Sequence, residues 1–479
     1  MTNAEGSESA AEIRARLPHP VVDGDGHLIE YLPALAGYLR EEGVDPAGPT
    51  MQRLLPGRFG PDQDWYAASA DERARLRIAR PPWWGAPAAN TRDLATALFP
   101  SLLHERLDEF GIDVSVVYPS MGLAFLHLED ADERASACRA LNRYCADQFA
   151  PYGDRLVPVA AIPMHTPEEA VAALDEAVTR LGFKAVLLAG YVQRTVEGVS
   201  ADAAPWARWI DTYGIDSPHD YDPVWARCRD LKVAVAFHSG SIGWGSRISP
   251  SNYMANHIGH LAEGQHALAK SLFLGGVTRR FPELRFAFLE GGVAWAAALY
   301  ADIVGHWEKR NRDAMAHLDP AGIDKAVLME LMAAHAPKID LDPALSTLPR
   351  RTEDPAMLDE FAPCAIERAE DIADLFATPF FFGCEADDPM VRMAFDTAAN
   401  PFGSTLKAVF GSDIAHWDVP DMADVLCEAH ELVEHGLIDE DGFRDFVFTN
   451  PVRFFTDVNP DFFEGTVVAE AVRGLNAPA

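Results

Sequence analysis

Carboxylates and imidazoles stand at the ends of several apolar runs in this chain. Asp25 and His27 close VVDGDGH, with Glu30 three residues on. His238 closes VAVAFH, Glu290 closes RFAFLE and Glu385 closes PFFFGCE. Asp413 closes KAVFGSD, and His416 follows three residues later. Side chains alternate along an extended strand, so Asp25 and His27 share a face and can grip one metal ion. His238 would add an imidazole and Asp413 a carboxylate. Imidazole with carboxylate suits zinc, iron, manganese or nickel, and no thiolate stands at these positions. Buried carboxylates without partners cost several kcal/mol each, a penalty that a cation would offset.

The elements that must carry these residues can be read from the same runs. There are eight: Val21–Asp25, Ile112–Pro119, Leu156–Ile162, Lys184–Ala189, Val233–His238, Arg285–Glu290, Pro379–Glu385 and Lys407–Asp413. Most are nearly continuous apolar stretches, as strands buried on both faces of a parallel sheet are. Helical patterns lie between most of them, over Asp132–Phe149, Pro167–Leu181, Pro223–Leu231, Met422–His435 and Asp441–Phe448. Eight strand–helix units predict an α/β fold, a (β/α)8 TIM barrel, with a doubly wound open sheet as the alternative. No Gly-rich phosphate loop follows any run, which counts against the open sheet. In a barrel the C-terminal strand ends face one mouth, so the residues named above would meet there.

A plain barrel needs about 250 residues; this chain has 479. The excess is expected as helical and loop insertions at about 31–105, 190–222 and 306–378, covering the C-terminal face of one barrel domain over 18–460. Residues 1–17 are expected as a disordered tail and 461–479 as a C-terminal tail. Trp83 and Trp84 in the first insertion could wall an aromatic pocket, although plain packing is the simpler reading. The net charge of −33 argues against nucleic acid and against an anionic membrane surface. Six scattered cysteines without CxxC spacing, and the lack of a signal-like apolar stretch, predict a cytoplasmic protein acting on a small-molecule substrate.

The motifs VVDGDGHLIE, LLHERLDEFGIDVSVVYPS, VAFHSG, GGVTRRFPELRFAFLEGGVAW and VFGSDIAHWD together resemble the amidohydrolase superfamily. The resemblance is to the branch that includes aminocarboxymuconate-semialdehyde decarboxylase and related aromatic-acid decarboxylases and hydrolases. It runs from Val21 to about Phe455 and implies a metal-dependent TIM-barrel enzyme, commonly a homodimer. Asp25 and His27 occupy the places of the family's first-strand metal pair, His238 that of its fifth-strand histidine, and Asp413 that of its eighth-strand aspartate, ligand and base. Many relatives carry a histidine at the end of the sixth strand, where this chain has Glu290-Gly291-Gly292.

His257 and His260, at i and i+3, could share a helix face and supply a further ligand. With Glu30, Glu290 and Glu385 the carboxylates would suffice for two ions, so one or two divalent metals (Zn, Fe or Mn) are expected. Three functions remain open from sequence. The first is hydrolysis or non-oxidative decarboxylation of an apolar or aromatic carboxylic substrate, with Asp413 moving the proton, His416 orienting the substrate and Glu385 assisting. The second, from a smaller set of similar proteins, is hydroxylation by a dinuclear iron or iron–manganese centre. The third is a non-catalytic subunit.

Overall fold

The computed structural model describes residues 8–48, 51, 63–81, 90–200, 206–336, 338 and 357–476. Trp83 and Trp84, and parts of the first and third insertions, lie outside these residues.

Among the described residues there are ten strands: β1 Val22–Leu28, β2 Val114–Pro119, β3 Leu156–Ile162, β4 Ala185–Leu188, β5 Val192–Thr195, β6 Arg208–Asp211, β7 Val235–Phe237, β8 Phe286–Phe288, β9 Phe380–Glu385 and β10 Lys407–Gly411. Eight pair in parallel in the order β1-β2-β3-β4-β7-β8-β9-β10. Seven of the eight apolar runs contain one of them whole, and the first, Val21–Asp25, overlaps β1. β1 and β10 meet through Asp413 N–H donating to the Asp25 carbonyl (3.1 Å) and His27 N–H donating to the Ile414 carbonyl (3.1 Å), which closes a (β/α)8 barrel. Helices follow the strands, including Ala131–Phe149, Pro167–Asp175, Asp222–Leu231, His260–Leu274, Ala294–Arg310 and Val425–Glu434. The second insertion is built around the antiparallel hairpin β5–β6.

The strands are apolar on both faces because helices cover the outside while neighbouring strands fill the inside. Phe286 and Phe288 of β8 and Phe380 and Phe382 of β9 share a face at a spacing of two. Phe288 meets Trp295 at 5.9 Å and Phe380 meets Phe376 at 5.1 Å between ring centroids, so this face receives the helices Ala294–Arg310 and Asp371–Phe376.

Both expected tails are in fact partly folded. Residues 10–16 form a helix whose Ser9 and Glu12 make a reciprocal capping box. Its Ile13 is 2% exposed, and Arg14 pairs with Asp113 at 2.5 Å. The short apolar pattern there is an amphipathic turn docked on the barrel, not a tail. At the other end Phe462, Phe463, Val468 and Val472 are buried. Phe462 stacks on Phe455 at 4.1 Å, and residues 469–476 are helical. No helix among the described residues is long and apolar enough to cross a membrane.

Ile13→Ala should lower stability by about 2 kcal/mol or more, the usual cost of emptying a buried aliphatic site. A denaturant midpoint equal to that of the wild type would mean the N-terminal helix does not contribute to the fold.

Candidate metal centre

β1 sets the geometry of the mouth. Asp25 and His27 reach the mouth from its end, and the β1–β2 register shifts between Asp23 and Gly26, so that Asp23 pairs with Ser115 and His27 with Tyr118. A bulge of this kind re-aims the side chains that follow it. Asp25 Oδ1 lies 3.5 Å from His27 Nε2 and 3.4 Å from His238 Nε2. His27 Nε2 lies 3.4 Å from Asp413 Oδ1. Relative exposures are 2% for Asp25, 0% for His27, 8% for His238 and 3% for Asp413. Asp25 Oδ1, His27 Nε2, His238 Nε2 and both Asp413 carboxylate oxygens are buried without a hydrogen-bond partner.

Donors about 2.1 Å from one tetrahedral ion stand about 3.4 Å from one another. The separations around Asp25 and His27 match that spacing: Asp25, His27 and His238 converge as one group, and Asp413 joins His27, Glu290 and His416 in a second. The donor set therefore fits a divalent metal ion, and an ion would satisfy atoms that otherwise bear an unrelieved burial cost.

Glu290 and His416 flank the four. Glu290 Oε2 is 3.1 Å from His238 Nε2 and Oε1 is 3.4 Å from His416 Nδ1. His416 Nδ1 is 2.6 Å from Asp413 Oδ1. Glu290 (φ 61°), Asp413 (φ 47°) and Ala415 (φ 91°) all adopt left-handed backbone. Each such residue costs on the order of 1–3 kcal/mol, and such strain concentrates at functional turns. Here the turns after β8 and β10 aim both carboxylates into the mouth.

Electrostatics separates the histidines. Burial, reinforced by His416, pushes His27 down to about 3, so it is a neutral imidazole able to ligate. Burial also acts to lower His238, but Asp25 and Glu290 outweigh it and raise the group. Burial would raise Glu290, yet His238 and His416 hold it below the carboxylate range. Asp413 and His416 behave as a pair: burial, with Glu290, raises Asp413, while Asp413 and Glu290 raise His416 against burial.

Four other sequence candidates stand elsewhere. Glu30 is fully buried, but its carboxylate accepts from Met121 N–H (2.9 Å) and Gly122 N–H (3.0 Å), fixing the turn after β2. It lies three residues past His27, out of step with the interior face. His257 and His260 do not share a helix face. The helix Tyr253–His257 stops, Gly259 turns left-handed at φ 73°, and a new helix starts at His260. Their rings meet at 5.0 Å beside the mouth rather than in the cluster. Glu385 borders a cavity of about 430 Å³ with Glu290, Asp387, Asp388 and Asp418. Burial and then Glu290 and those aspartates push it up to about 8.

A second cavity of about 460 Å³ opens over the cluster, with Tyr191, Tyr253 and Trp417 among its walls and His238, Glu290 and His416 at its base. His127 stacks on Tyr191 at 5.1 Å between centroids. Ser120 Oγ approaches His416 Nε2 at 3.2 Å. Sequence reasoning missed Asp23, Ser120 and this aromatic wall. The spacing of two that singles out Asp25 and His27 would equally have singled out Asp23.

His238→Ala should leave a folded protein with far-ultraviolet circular dichroism like the wild type, while bound divalent metal measured by elemental analysis drops to a small fraction. Full metal content in that variant would overturn the assignment. Chelation should likewise lower Tm, and added divalent metal should restore it, because a ligand bound only by the folded state stabilises it.

The amidohydrolase family model matches residues 106–339. Decarboxylase orsB of Emericella nidulans is 30% identical over 166 residues, 32% of this chain; the chain thus spans 43% of that protein's length. Among solved structures, amidohydrolase map2389c of Mycobacterium avium subsp. paratuberculosis K-10 is similar with a TM-score of 0.53 at 16% identity, covering 92% of this chain and 100% of that one. A dihydroxybenzoic acid decarboxylase of Polaromonas sp. JS666, solved with manganese and 2-nitroresorcinol, gives a TM-score of 0.49 at 14% identity, covering 91% and 97%. The amidohydrolase model thus matches just under half of the chain, and the decarboxylase relative is similar over a third of it.

Proposed function

We propose that this protein is a divalent-metal-dependent decarboxylase that removes carbon dioxide from an aromatic carboxylate without an oxidant. The observation that carries the reading is the meeting of buried donors from Asp25, His27, His238 and Asp413, linked through His27, beneath an aromatic-walled cavity. The decarboxylase relative supports the reaction type. An ion held by those four residues would supply positive charge to bind the substrate carboxylate and an adjacent ring hydroxyl.

The chain's own groups account for the rest. Tyr191, Tyr253 and Trp417 wall a space suited to one aromatic ring. Asp413 and His416, 2.6 Å apart, share a proton at the mouth. Asp413 delivers it to the ring carbon bearing the carboxylate. The carbon–carboxylate bond then breaks, its electron pair returns to the ring, and carbon dioxide leaves. His416 takes up a proton from water and passes it to Asp413 for the next cycle, and Glu290 holds His416 in place. Below about pH 8 Glu385 carries its proton, which keeps one more negative charge away from an anionic substrate.

A second ion is the other reading. It is favoured by a second group of convergent donors, His27, Glu290, Asp413 and His416. Glu290→Gln separates the two: metal content stays at about one per chain for a single ion, or falls from about two toward one. Imidazole and carboxylate donors leave manganese, iron and zinc all eligible.

The direct test incubates manganese-loaded protein with ortho-hydroxybenzoates under argon and measures carbon dioxide. Product formation without oxygen supports the proposal; turnover only with oxygen uptake overturns it in favour of hydroxylation. The pH profile gives an independent check. As pH rises through about 8, ionisation of Glu385 should raise KM for the anionic substrate. In Glu385→Gln that rise should be absent.

A further inference from the structure

Asp23 stands two residues before Asp25 on β1 but does not join the ligands. It is fully buried, and its carboxylate accepts four hydrogen bonds. Ser115 Oγ of β2 donates to Oδ2 at 2.6 Å and Ser412 Oγ donates to the same oxygen at 2.8 Å. Ser412 N–H donates to Oδ1 at 2.9 Å, and Asp25 N–H donates to it at 3.1 Å. A carboxylate only accepts, so one side chain satisfies donors from β1, from β2 and from the residue that follows β10.

Three of those donors belong to two residues that adjoin or carry the mouth: Asp25 itself, and Ser412, which precedes Asp413. The backbone between them is irregular. The β1–β2 register shifts just after Asp23, and β1 is joined to the end of β10 by Asp413 N–H to the Asp25 carbonyl and His27 N–H to the Ile414 carbonyl. At this point the Asp23 carboxylate does the work that a regular ladder does elsewhere in the barrel. The neighbouring sequence leaves room for it. A Cβ on Gly26 would collide with both Asp23 Oδ2 and Ser115 Oγ, and a Cβ on Gly411 would stand 2.9 Å from Asp25 Cβ.

We propose that Asp23 is a positioning residue of the metal centre: by tying Ser115, Ser412 and the Asp25 amide to one carboxylate, it sets the approach of the Asp25 and Asp413 side chains and so the affinity and geometry of the ion between them. This rests on the reading of the mouth as a metal site. Partners that orient ligands typically alter metal affinity by about 10–100-fold when removed.

The experiment uses the full chain and Asp23→Asn, which keeps the shape but puts an amide donor where the two serine hydroxyls donate. Manganese binding to metal-free protein is followed by calorimetry, and the visible spectrum is recorded at saturating cobalt. The expected result is a manganese Kd raised about 10–100-fold, with cobalt bands shifted from those of the wild type. A variant that stays folded with Kd within twofold of the wild type and a superimposable cobalt spectrum overturns the proposal. If Asp23→Asn does not accumulate as folded protein, Ser115→Ala carries the test, because it removes one donor on a strand that bears no ligand. Weaker manganese binding with unchanged circular dichroism supports the role, and unchanged binding overturns it. Wild-type protein that fails to bind manganese, cobalt or zinc would instead overturn the metal site itself, so the two failures are distinguishable.

Discussion

Everything at the mouth follows from one electrostatic constraint. Oxygen and nitrogen atoms of Asp25, His27, His238 and Asp413 are buried against one another, and apart from His416 Nδ1 beside Asp413 Oδ1 no hydrogen bond satisfies them. In a protein interior this is unfavourable unless a counter-charge sits among them. The barrel tolerates it by importing strain and rigidity around the cluster. Left-handed turns at Glu290 and Asp413 hold two carboxylates in place, glycines at 26 and 411 let strands approach closely, and Asp23 pins the irregular end of β1. A softer scaffold would let the carboxylates swing apart toward water.

The parts of this arrangement that were readable without a structure are those that obey strand periodicity. Asp25 and His27 could be paired because alternation puts them on one face, and His238 and Asp413 because apolar runs end in them. All eight strands were visible as apolar runs for the same reason. Glu30, His257 and His260 were misplaced because local spacing is silent about where backbone amides or turns lie. Glu30 is captured by the amides of Met121 and Gly122, and a left-handed glycine at 259 breaks the helix that would have aligned the two histidines. The folded segments at both ends escaped notice because their apolar residues are few and their burial depends on distant partners such as Phe455.

The cavity over the cluster combines two kinds of surface. Aromatic rings from the turn regions after β4, β7 and β10 line one side, whereas Glu290, Glu385 and three aspartates line the adjoining space. An acid-rich rim favours entry of a cation and resists anions. Keeping Glu385 protonated lessens that resistance, so the field at the mouth depends on which carboxyls hold protons.

The join between β1 and β10 also bears on how the protein comes to exist. Asp23 and Ser412, bonded across that join, are 389 residues apart in the chain. Contacts of such separation form late, after the loop-closure cost of the intervening chain has been met. During synthesis the first strand must therefore wait, with its acidic pair exposed, until almost the entire polypeptide has emerged. The closure that joins β10 to β1 also brings Asp413 beside His27, so the candidate site is completed by the same contact that makes the barrel round.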